Sequence, residues 1–588
     1  MAERVVYVGK SAVRTAMGSS VEEIFDRASQ GGNGFDITRD TLATQKNSRF
    51  PSYATLPMAL IGNNDDGIST LNSPTRLERL ALSVIDEISS NTNIDKEACT
   101  LVFATTKGNV GALGEEIPSS DSPTFIAEMA ERIARAAGFS KTPIIISNAC
   151  ISGVSATIVA YRMIQSGSIE NAIVVGIDEL TNFIVSGFMA FKSVSDEVCR
   201  PYDAQRKGLS MGEAVAAILL SSNAKLSTGI TIDGGCITND ANHISGPSRT
   251  GEPLADAINT AMREAGLDAR DISFVNAHGT ATAYNDDMES KAINIAGLGQ
   301  TPINSLKPLF GHTLGASGVI EIAMAAEELR RKEVLGTQRF EVNGTAMPLN
   351  VAAKNINIDG HHCVKCASGF GGCNAAVVLS AAAYHSVNNN YDNTNNINDI
   401  DEVASCQIAN GKLVVDGKEI LNGNTDFDTF IREIYHQKNE PNLKFFKMDR
   451  LSKLGYMGAQ YVIGKTSQHA VCEPTATAVI LYNHASSLDT DVQHVRDMHA
   501  EQTSPATFVY TLPNIVLGEI AISCGVRGET TFFICANDDE VAQVKTYAQL
   551  LLTSHKYKNV LFGKCELLGE NYNLNIHLLT LKHKIWNN

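Results

Sequence analysis

The first 385 residues are predicted to form an α/β fold in which helices cover a mostly parallel sheet. Three observations support this prediction. Short β-branched runs alternate with longer stretches of helical period, and runs such as PIIIS (143–147) and AIVVG (172–176) are apolar throughout, as in strands buried on both faces. An asparagine-rich tract at 386–402 then interrupts the alternation, with seven Asn between 388 and 398. Such a tract cannot bury a core, so it is predicted to be a linker.

The predicted elements follow one another along this front part, and each is bounded by turn residues. Strands are predicted at 5–8, 101–104, 143–147, 172–176, 215–221, 230–234 and 272–276. Helices are predicted at 75–88, 124–137, 154–164 and 253–265.

Composition excludes several classes of protein. Lys and Arg total 48 against 64 Asp and Glu, a net charge of −16, which disfavours general binding to nucleic acid. No apolar run approaches the roughly 20 residues of a membrane span, and the N-terminus lacks a secretory pattern, so a cytoplasmic location is expected. Twelve cysteines are too few for a disulfide scaffold. The pair Cys363 and Cys366 adjoins two histidines, but buried thiols on a strand are favoured over a metal site.

The region after the linker, 403–588, contains a second copy of part of the front part. Residues 138–180 align with 525–567 at a shift of 387 without gaps, strand on strand and helix on helix. Gly176 then falls on Gly563, and Cys150 falls on Asn537. Chance similarity between two strand–helix–strand units is the alternative.

The first candidate for chemistry is SNACISG, 147–153, which places Cys150 between an apolar strand and a helical stretch. A side chain at such a turn is exposed, and a helix N-terminus favours negative charge. Both effects favour the thiolate, which is the nucleophilic form. A buried structural cysteine is the alternative for this residue taken alone.

Two histidine segments follow. In VNAHGTATAYNDDMES, 275–290, His278 comes just after an apolar strand, where it would face a cleft. In NSLKPLFGHTLGASGVIE, 304–321, three glycines surround His312, with Lys307 before it and Glu321 after it. If each segment is considered alone, His278 could be an ordinary hydrogen-bonded core or loop histidine. The glycines around His312 could serve only to pack helices.

A fourth segment, CASGFGGCNAAVV at 366–378, has three glycines around Phe370. Its bare backbone could approach a ligand or move, although an ordinary hairpin turn has the same composition.

Together these segments resemble the β-ketoacyl synthases, the decarboxylating condensing enzymes of fatty-acid and polyketide assembly. SNACISG resembles the nucleophile segment, AHGTAT with NDxxE the first histidine motif, and LKPLFGHTLGASGVIE the lysine and second histidine motif. SGFGGCNA resembles the gating glycine loop, and RPYDAQRKGLSMGEA, 200–214, a further signature. The segments stand in the family's order, with 128 residues from Cys150 to His278 and 34 from there to His312. The resemblance covers about 1–382.

The resemblance implies a thiolase-like, five-layered α/β/α/β/α fold. It implies two related halves, 1–225 with the nucleophile and 226–385 with the histidines. It also implies a homodimer or heterodimer formed through the strand that precedes the nucleophile. The region 403–588 resembles the N-terminal half of the family and would form a second, incomplete thiolase-like unit. With Asn537 in place of the nucleophile, that unit is expected to be non-catalytic.

By the same resemblance, Cys150 accepts an acyl chain as a thioester. The N–H groups of Cys150 and of the gating residue Phe370 would hold the oxyanion. Thr280 and Thr282 would bond the pantetheine arm of the carrier.

The resemblance also assigns the decarboxylation step. His278 and His312 would donate hydrogen bonds to the enolate formed from malonyl carrier protein. Lys307 would orient the histidines together with Glu321. Two histidines imply an elongating synthase, because the initiating branch carries Cys-His-Asn. No metal, nucleotide or flavin cofactor is expected; the substrates travel on phosphopantetheine.

The implied partners are acyl carrier protein and malonyl carrier protein. Both are acidic, as is this chain, so docking needs a local positive patch. The candidates are Arg76, Arg79, Arg206 and Lys207, with ordinary solvated charges as the alternative.

The departures from the family pattern are few. Ala281 stands where Gly or Ser is usual, and Cys366, Ala367 and Ser368 replace Asn-Ser-Phe, which would reshape the acyl tunnel. Ser368 and the unusual tail favour a specialised polyketide or polyene pathway.

We expect the tail to pack on a synthase unit, within the chain or across to a partner, in place of a second synthase half. A folded appendage is the alternative. For the whole chain, the alternatives to a condensing enzyme are a non-catalytic chain-length-factor-like or scaffold subunit, and a thiolase or acyltransferase on the same fold.

Overall fold

The structure, a computed structural model, describes residues 4–35, 53, 56–62, 74–385, 399–439, 441–464 and 473–582. Most of the predicted linker, 386–398, lies outside the described residues. Its predicted end at 402 is wrong, because a strand has begun by Ile400. Ile400 pairs with Leu581 in an antiparallel ladder that continues through residue 409.

The described strands are listed here in chain order: β1 Val6–Arg14, β2 Met58–Ala59, β3 Cys99–Ala104, β4 Ile144–Ile146, β5 Asn171–Asp178, β6 Met211–Gly212, β7 Ala214–Ser221, β8 Ile230–Asn239, β9 Phe274–Asn276, β10 Ile303–Asn304, β11 Glu333–Val334, β12 Ile356–Asn357, β13 His362–Gly369, β14 Cys373–Ala381, β15 Ile400–Ala409, β16 Lys412–Val415, β17 Lys418–Asn422, β18 Thr477–Asn483, β19 Thr530–Ile534, β20 Asn559–Leu568 and β21 Asn571–Leu581.

The described helices are α1 Val21–Ser29, α2 Arg76–Thr92, α3 Ile126–Ala136, α4 Ser152–Gln165, α5 Asn182–Ala190, α6 Glu252–Glu264, α7 Ala283–Ile295, α8 Lys307–Phe310, α9 Ser317–Arg331, α10 Phe427–Lys438, α11 Arg450–Val462, α12 Leu488–His499, α13 Pro505–Tyr510, α14 Ile515–Cys524 and α15 Asp538–Thr553. Short 3₁₀ turns, Ala149–Ile151 and Leu314–Ala316, precede α4 and α9.

The front part contains two five-stranded sheets. The first has the order β4-β3-β5-β7-β1, and the second has the order β10-β9-β13-β14-β8. Strand β1 pairs with both β7 and β8, so it joins the two sheets at one edge. All seven strands predicted from the sequence are present.

Two helices form the layer between these sheets. Helices α4 and α9 are buried on every face over nearly their whole length, as expected for helices enclosed by sheet on both sides. Helices α2 and α3 cover the outer face of the first sheet, and α6 and α7 cover the outer face of the second. Alternate residues of β3 follow this layering, with Leu101 in the outer core and Val102 in the central one. The α/β/α/β/α arrangement implied by the resemblance is confirmed.

The prediction of a mostly parallel sheet is wrong. Parallel pairs, such as β3 with β4 and β5, are outnumbered by antiparallel ones, such as β5 with β7 and β13 with β14. In the front part, a short turn of the kind that only antiparallel strands permit joins β13 to β14, with Gly371 and Gly372 at φ +89° and +70°. Other antiparallel pairs, such as β5 with β7, join strands separated by long stretches of chain, and the apolar runs alone do not determine their direction.

The tail contains a sheet of the same order as the first sheet of the front part. Its strands run β19-β18-β20-β21-β15, with two parallel pairs followed by two antiparallel ones. The front order β4-β3-β5-β7-β1 has the same sequence of parallel and antiparallel pairs. Helix α15 lies between β19 and β20, as α4 lies between β4 and β5. These bounds agree with the shift of 387 found in the sequence.

The front part and the tail meet edge to edge through β4 and β19. The pair is antiparallel, with Ile146 opposite Phe533. These two residues are 387 positions apart, so equivalent positions meet and the two units are related by an approximate twofold axis. Asn148 extends the pairing, because its Oδ1 accepts from Phe532 N at 2.9 Å and its Nδ2 donates to Thr530 O at 3.0 Å. The strand expected to join two subunits is therefore paired within the chain.

Two buried ion pairs cross the same interface. Arg162 of α4 donates to Glu529 at 2.5 Å, and Lys107, which follows β3, donates to Asp491 of α12 at 2.6 Å. All four side chains are at most 3% exposed. Because a charge left unpaired at such a site is costly, the two units fit each other specifically.

Candidate active site

Cys150 lies in a strained turn between β4 and α4. Ala149 has φ +47°, in the left-handed region that L-residues seldom adopt, and the helix begins at Ser152. The Ser152 hydroxyl accepts a hydrogen bond from Asn148 N at 2.8 Å, which closes the turn. The geometry confirms the predicted strand-to-helix position of the cysteine.

The second half of the front part repeats this turn before α9. Leu314 has φ +54°, and the Ser317 hydroxyl accepts from Thr313 N at 3.1 Å. The two turns thus place Cys150 and the His312 segment at the N-termini of the two central helices.

Glycines let these two helices touch. A Cβ added to Gly153 would lie 2.7 Å from Val319 N, and one added to Gly318 would lie 2.3 Å from Val154 N. Any side chain at either position would force α4 and α9 apart. The two glycines therefore bring the two strained turns together. Ordinary helix packing, the alternative considered for the glycines around His312, thus also occurs here.

His278 and His312 meet at the centre of this arrangement. Their ring centroids are 5.4 Å apart and the rings are perpendicular. His312 Nδ1 accepts a hydrogen bond from Leu314 N at 3.0 Å, and His278 Nδ1 lies 3.2 Å from the Lys307 ammonium, which can only donate. In the neutral ring of each histidine, the proton is then on Nε2.

Burial and the nearby Lys307 charge lower the pKa of both histidines. The pKa of His312 falls to about 3, and that of His278 falls well below its usual value. Both rings are therefore neutral at physiological pH and can each donate from Nε2.

Lys307 is held by a buried carboxylate that also binds a second lysine. Its Nζ lies 2.9 Å from Glu321 Oε1 and 2.5 Å from His278 O, and Lys365 Nζ lies 2.7 Å from Glu321 Oε2. Burial alone would raise the pKa of Glu321, but the two ammonium groups outweigh it and hold the pKa below the ordinary value. The predicted Lys307–Glu321 pair is present.

Lys365 was missed by the sequence reasoning. It is fully buried on β13, inside the run HHCVKCASGF, where an isolated lysine among apolar residues was the available signal. Asp178 was missed as well. It binds Gly315 N at 2.7 Å and both Thr105 and Thr106, which supports the His312 segment from the first half.

Glu289 supports the segment that carries His278. One carboxylate oxygen accepts from His278 N at 2.7 Å, the other from Gly279 N at 2.9 Å, and Tyr202 OH donates to the same group at 2.7 Å. The predicted pantetheine residues lie directly beyond, with the hydroxyls of Thr280 and Thr282 2.9 Å apart.

The predicted thiolate is not the resting state of Cys150. Burial raises the pKa of the thiol to about 12, even though Lys307 acts in the opposite direction. The helix N-terminus is present, but desolvation outweighs it. The main-chain N–H groups of Cys150 and Phe370, the two donors expected for an oxyanion hole, also act to lower the pKa of this thiol, so both lie near the sulfur.

Residues 368–372, called the glycine loop here, approach the nucleophile. Gly371 and Gly372 have φ of +89° and +70°, and a Cβ on Gly369 would lie 3.2 Å from Cys150 N. The Phe370 ring stacks on Phe191 at 5.4 Å between centroids. The backbone of this loop, rather than a side chain, therefore forms one wall beside the sulfur.

The structure does not bring the docking candidates together as one free patch. Arg76 binds Glu213 and Glu179, and Arg206 is only 8% exposed, with Asp287 at 3.0 Å. Lys207 is 58% exposed and lies 2.8 Å from Glu197. Arg79 donates to Pro74 O at 2.7 Å. Three of the four candidates, Arg76, Arg206 and Lys207, are thus paired with carboxylates of the chain.

The cysteines considered for a metal lie on β13 as buried thiols. Cys363 faces the central core and Cys366 the outer core. In the described part of the chain, no group of three or more His, Cys, Asp or Glu is arranged to hold a metal ion. None of the described helices combines the length and apolar character needed to cross a bilayer.

Comparison with known families shows which family the chain belongs to. The model of the beta-ketoacyl synthase N-terminal domain matches residues 2–225, and that of the C-terminal domain matches residues 230–341, together more than half of the chain. The chain belongs to the β-ketoacyl synthase family.

Curated relatives agree with this. A putative polyketide beta-ketoacyl synthase 1 of Streptomyces cyaneus is 33% identical over 288 residues, which are 46% of this chain and 67% of that protein. The 3-oxoacyl-[acyl-carrier-protein] synthase 2 of Staphylococcus aureus is 30% identical over 246 residues, or 39% and 59% of the two chains. This chain thus matches about three fifths to two thirds of the length of these relatives.

Solved structures show the same fold. The PfaC keto synthase-chain length factor is 12% identical and matches 98% of this chain and 78% of its own, with a TM-score of 0.74. The ketosynthase ApeO of Xenorhabdus doucetiae, in complex with its chain length factor ApeC, is 24% identical, with a TM-score of 0.54 over 64% of this chain and 98% of its own. The first of these likenesses extends through the tail.

Proposed function

We propose that this chain is an active β-ketoacyl-[acyl-carrier-protein] synthase that elongates acyl chains by decarboxylative condensation in fatty-acid or polyketide assembly. The observation that carries this proposal is the pair of histidines, both with Nδ1 occupied and the proton on Nε2, together with Cys150, whose thiol is influenced by Lys307 and by two main-chain N–H groups. That arrangement suits a reaction that builds charge on two oxygens in turn.

Acyl transfer comes first. The Cys150 sulfur attacks the thioester carbon of the acyl carrier protein, the carbon–sulfur bond to the carrier breaks, and the proton of Cys150 ends on the released carrier thiol. The N–H groups of Cys150 and Phe370 hold the oxygen that becomes negative; such a donor is typically worth roughly 3 kcal/mol. A thiol with a pKa of about 12 stays protonated until substrate arrives, which protects it from oxidation.

Condensation follows with malonyl carrier protein. Loss of carbon dioxide leaves an enolate, and His278 and His312 donate their Nε2 protons to its oxygen as hydrogen bonds. The enolate carbon then attacks the acyl carbon on Cys150, and the sulfur departs. Lys307 keeps His278 in the donating tautomer, while Glu321 and Lys365 hold Lys307 in place. Thr280 and Thr282 would bond the pantetheine arm, and no resident cofactor takes part in these steps.

Intact-mass measurement of the full chain with acyl carrier proteins of graded acyl length tests the proposal. We expect an acyl adduct on Cys150 and carbon dioxide release after malonyl carrier protein is added. Cys150→Ser should lose the adduct, whereas Cys535→Ser, which changes a buried cysteine just after β19 in the tail, should keep it. An adduct that persists in Cys150→Ser would refute the nucleophile, and carbon dioxide release without a new carbon–carbon bond would point to a non-condensing subunit.

We further propose that the tail, 403–588, is a non-catalytic partner unit that replaces a second synthase subunit and limits chain length. Phe508 of the tail favours this role. Its ring packs on Phe188 at 5.2 Å between centroids, and Phe188 in turn lies 6.4 Å from the His312 ring. A Cβ added to Gly187 would lie 2.1 Å from the Phe508 ring, so α5 is shaped to receive it.

Product analysis of Phe508→Ala tests the tail role. We expect longer products, because the substitution would open space beside Phe188. Phe125→Ala is the matched control, since Phe125 stacks on His484 of the tail on the opposite side of the approximate twofold axis. Equal product lengths in wild type and Phe508→Ala would count against a chain-length role.

A further inference from the structure

Asn514 of the tail reaches the glycine loop of the front part. It directly precedes α14 and is 2% exposed. Its Nδ2 donates to Phe370 O at 2.8 Å and lies 3.8 Å from Cys373 Sγ. The Phe370 carbonyl is thus held by the tail, while the Phe370 N–H lies near the Cys150 sulfur, whose pKa it acts to lower.

The helix behind Asn514 also packs against the loop. A Cβ on Gly518 would lie 2.8 Å from Gly371 O, and a Cβ on Gly371 would lie 2.6 Å from Asn514 Nδ2. This close approach requires glycine at both positions, because a side chain at either one would collide with the other segment. The main chain of the loop therefore packs directly against the main chain of α14.

The stability of the tail does not account for an amide at this position. Asn514 Oδ1 is buried and has no hydrogen-bond partner among the described residues. Leaving a buried acceptor unpaired costs about 1–3 kcal/mol, so an apolar residue would serve simple packing better. The hydrogen bonds that this side chain does make all reach the front part, at the loop beside the nucleophile.

The opposite side of the approximate twofold axis provides an internal comparison. Helix α3 lies between β3 and β4 as α14 lies between β18 and β19, and its sequence, Ile126–Ala136, contains neither Asn nor Gly. Glu131 faces Asn537, the residue aligned with Cys150, and accepts from its Nδ2 at 2.9 Å. The donor amide and the glycine therefore occur only on the side that faces a nucleophile.

We propose that Asn514 is a positioning residue for the acyl-transfer step, supplied by the tail to the active site of the front part. By holding the Phe370 carbonyl it keeps the Phe370 N–H placed to bond the oxygen that becomes negative during acyl transfer. The catalytic part of this inference rests on the proposed condensing activity. The mechanical part, that the tail restrains the glycine loop, does not.

The test compares Asn514→Leu, which keeps the size and removes the donor, with Gln543→Met. Gln543 is the matched control because it also donates an amide hydrogen from the tail to a front carbonyl, that of Thr142 at 3.1 Å, away from the loop. We expect Asn514→Leu to slow single-turnover acylation of Cys150 by about fivefold, the size of one ordinary hydrogen bond. Malonyl decarboxylation, which uses the histidines, should change less than acylation.

Hydrogen exchange provides a readout that needs no activity. Amides of 366–376 should exchange faster in Asn514→Leu and unchanged in Gln543→Met. Unchanged exchange and acylation in Asn514→Leu would overturn the inference and leave the proposed function standing. A wild-type chain that forms no adduct on Cys150 would overturn the proposed function, while the exchange result would still decide whether the tail restrains the loop.

Should Asn514→Leu fail to fold, Asn514→Asp keeps the shape and replaces the donor by a carboxylate oxygen facing a carbonyl. The same slowing and the same faster exchange are expected, and wild-type values in this variant would also overturn the inference.

Discussion

The front part and the tail share a sheet order but differ at one turn. After β4 the chain enters a strained turn at Ala149, φ +47°, and presents Cys150. After β19 it enters an ordinary helix cap, with Asn537 at φ −140° and its side chain accepting from Glu540 N. Both units keep the strands and the helix that follows this turn, but of the two turns only the one that presents Cys150 has the strained conformation.

The helices that follow these turns differ in charge as well. Helix α15 of the tail begins with Asp538, Asp539 and Glu540, which stabilise its N-terminus. Helix α4 has no acidic residue in its first turn. Carboxylates there would repel an oxyanion beside Cys150, so the front part lacks this stabilisation at the site where the proposed reaction would form anionic intermediates.

The largest expected effect tests whether the catalytic groups lie in the front part and not in the tail. His312→Ala should slow condensation by about 10²- to 10³-fold, the usual cost of one lost donor to a developing oxyanion. Acyl transfer to Cys150 should persist. His494→Ala, which removes a buried histidine of the tail, should leave the condensation rate within a few-fold of wild type. Steady-state assays with malonyl carrier protein measure both, and equal losses in the two variants would erase the distinction.

The next effect concerns the join between the units. Arg162→Met should lower the free energy of unfolding by about 3–5 kcal/mol, because Glu529 would be left as a buried, unpaired charge. Combining it with Glu529→Leu should recover much of this loss, since both charges are then removed. Denaturant unfolding of the three variants measures the difference. A double variant as unstable as the single one would show that packing, not charge, dominates there.

Acid should destabilise the front part through its histidines. His312 has a pKa of about 3 when folded and about 6.5 when unfolded, so the unfolded chain binds an extra proton between these values. Stability from this residue is complete above pH 6.5 and is lost as the pH falls toward 3. Between pH 7 and pH 5 we expect His312→Asn to lose about 2 kcal/mol less unfolding free energy than wild type. If wild type and His312→Asn lost the same unfolding free energy over this pH range, the lowered pKa of His312 would be contradicted.

The smallest effect has the opposite sign and lies at the interface. The hydrogen bond from His484 of the tail to Glu128 raises the pKa of that histidine, although partial burial opposes it. Its contribution is therefore present below the unfolded pKa of about 6.5 and is lost as the pH rises through the folded value. His484→Gln should make unfolding less sensitive to a rise in pH from 6 to 8. A variant that became more sensitive would reverse this assignment.

Much of the fold could be predicted because a buried strand produces a short, continuous run of apolar residues in the sequence. The runs at 143–147 and 172–176 fall on β4 and β5 within two residues. Strand direction was harder, because the direction in which a strand enters the sheet depends on its turns and crossovers. Apolar runs that suit a parallel sheet also occur in fully buried antiparallel strands such as β7 and β8.

The candidate site was predicted through its motifs, and what was missed depends on burial. The motif residues Cys150, His278, Lys307 and His312 are all buried within one site of the front part. The thiolate expectation failed because desolvation, which sequence does not report, outweighs the helix N-terminus. Arg76 reads as an ordinary surface charge until its partner Glu213 is seen 2.8 Å away. Asn514 had no motif to mark it, since its significance depends on a contact with a loop 144 positions earlier.

The antiparallel contact of Ile146 with Phe533 has a consequence for assembly. Two units that meet while tethered on one polypeptide encounter each other at an effective concentration on the order of millimolar, whatever the abundance of the protein. Their ratio is fixed at synthesis, dilution cannot separate them, and a mismatched pairing between two active units has no open edge through which to form.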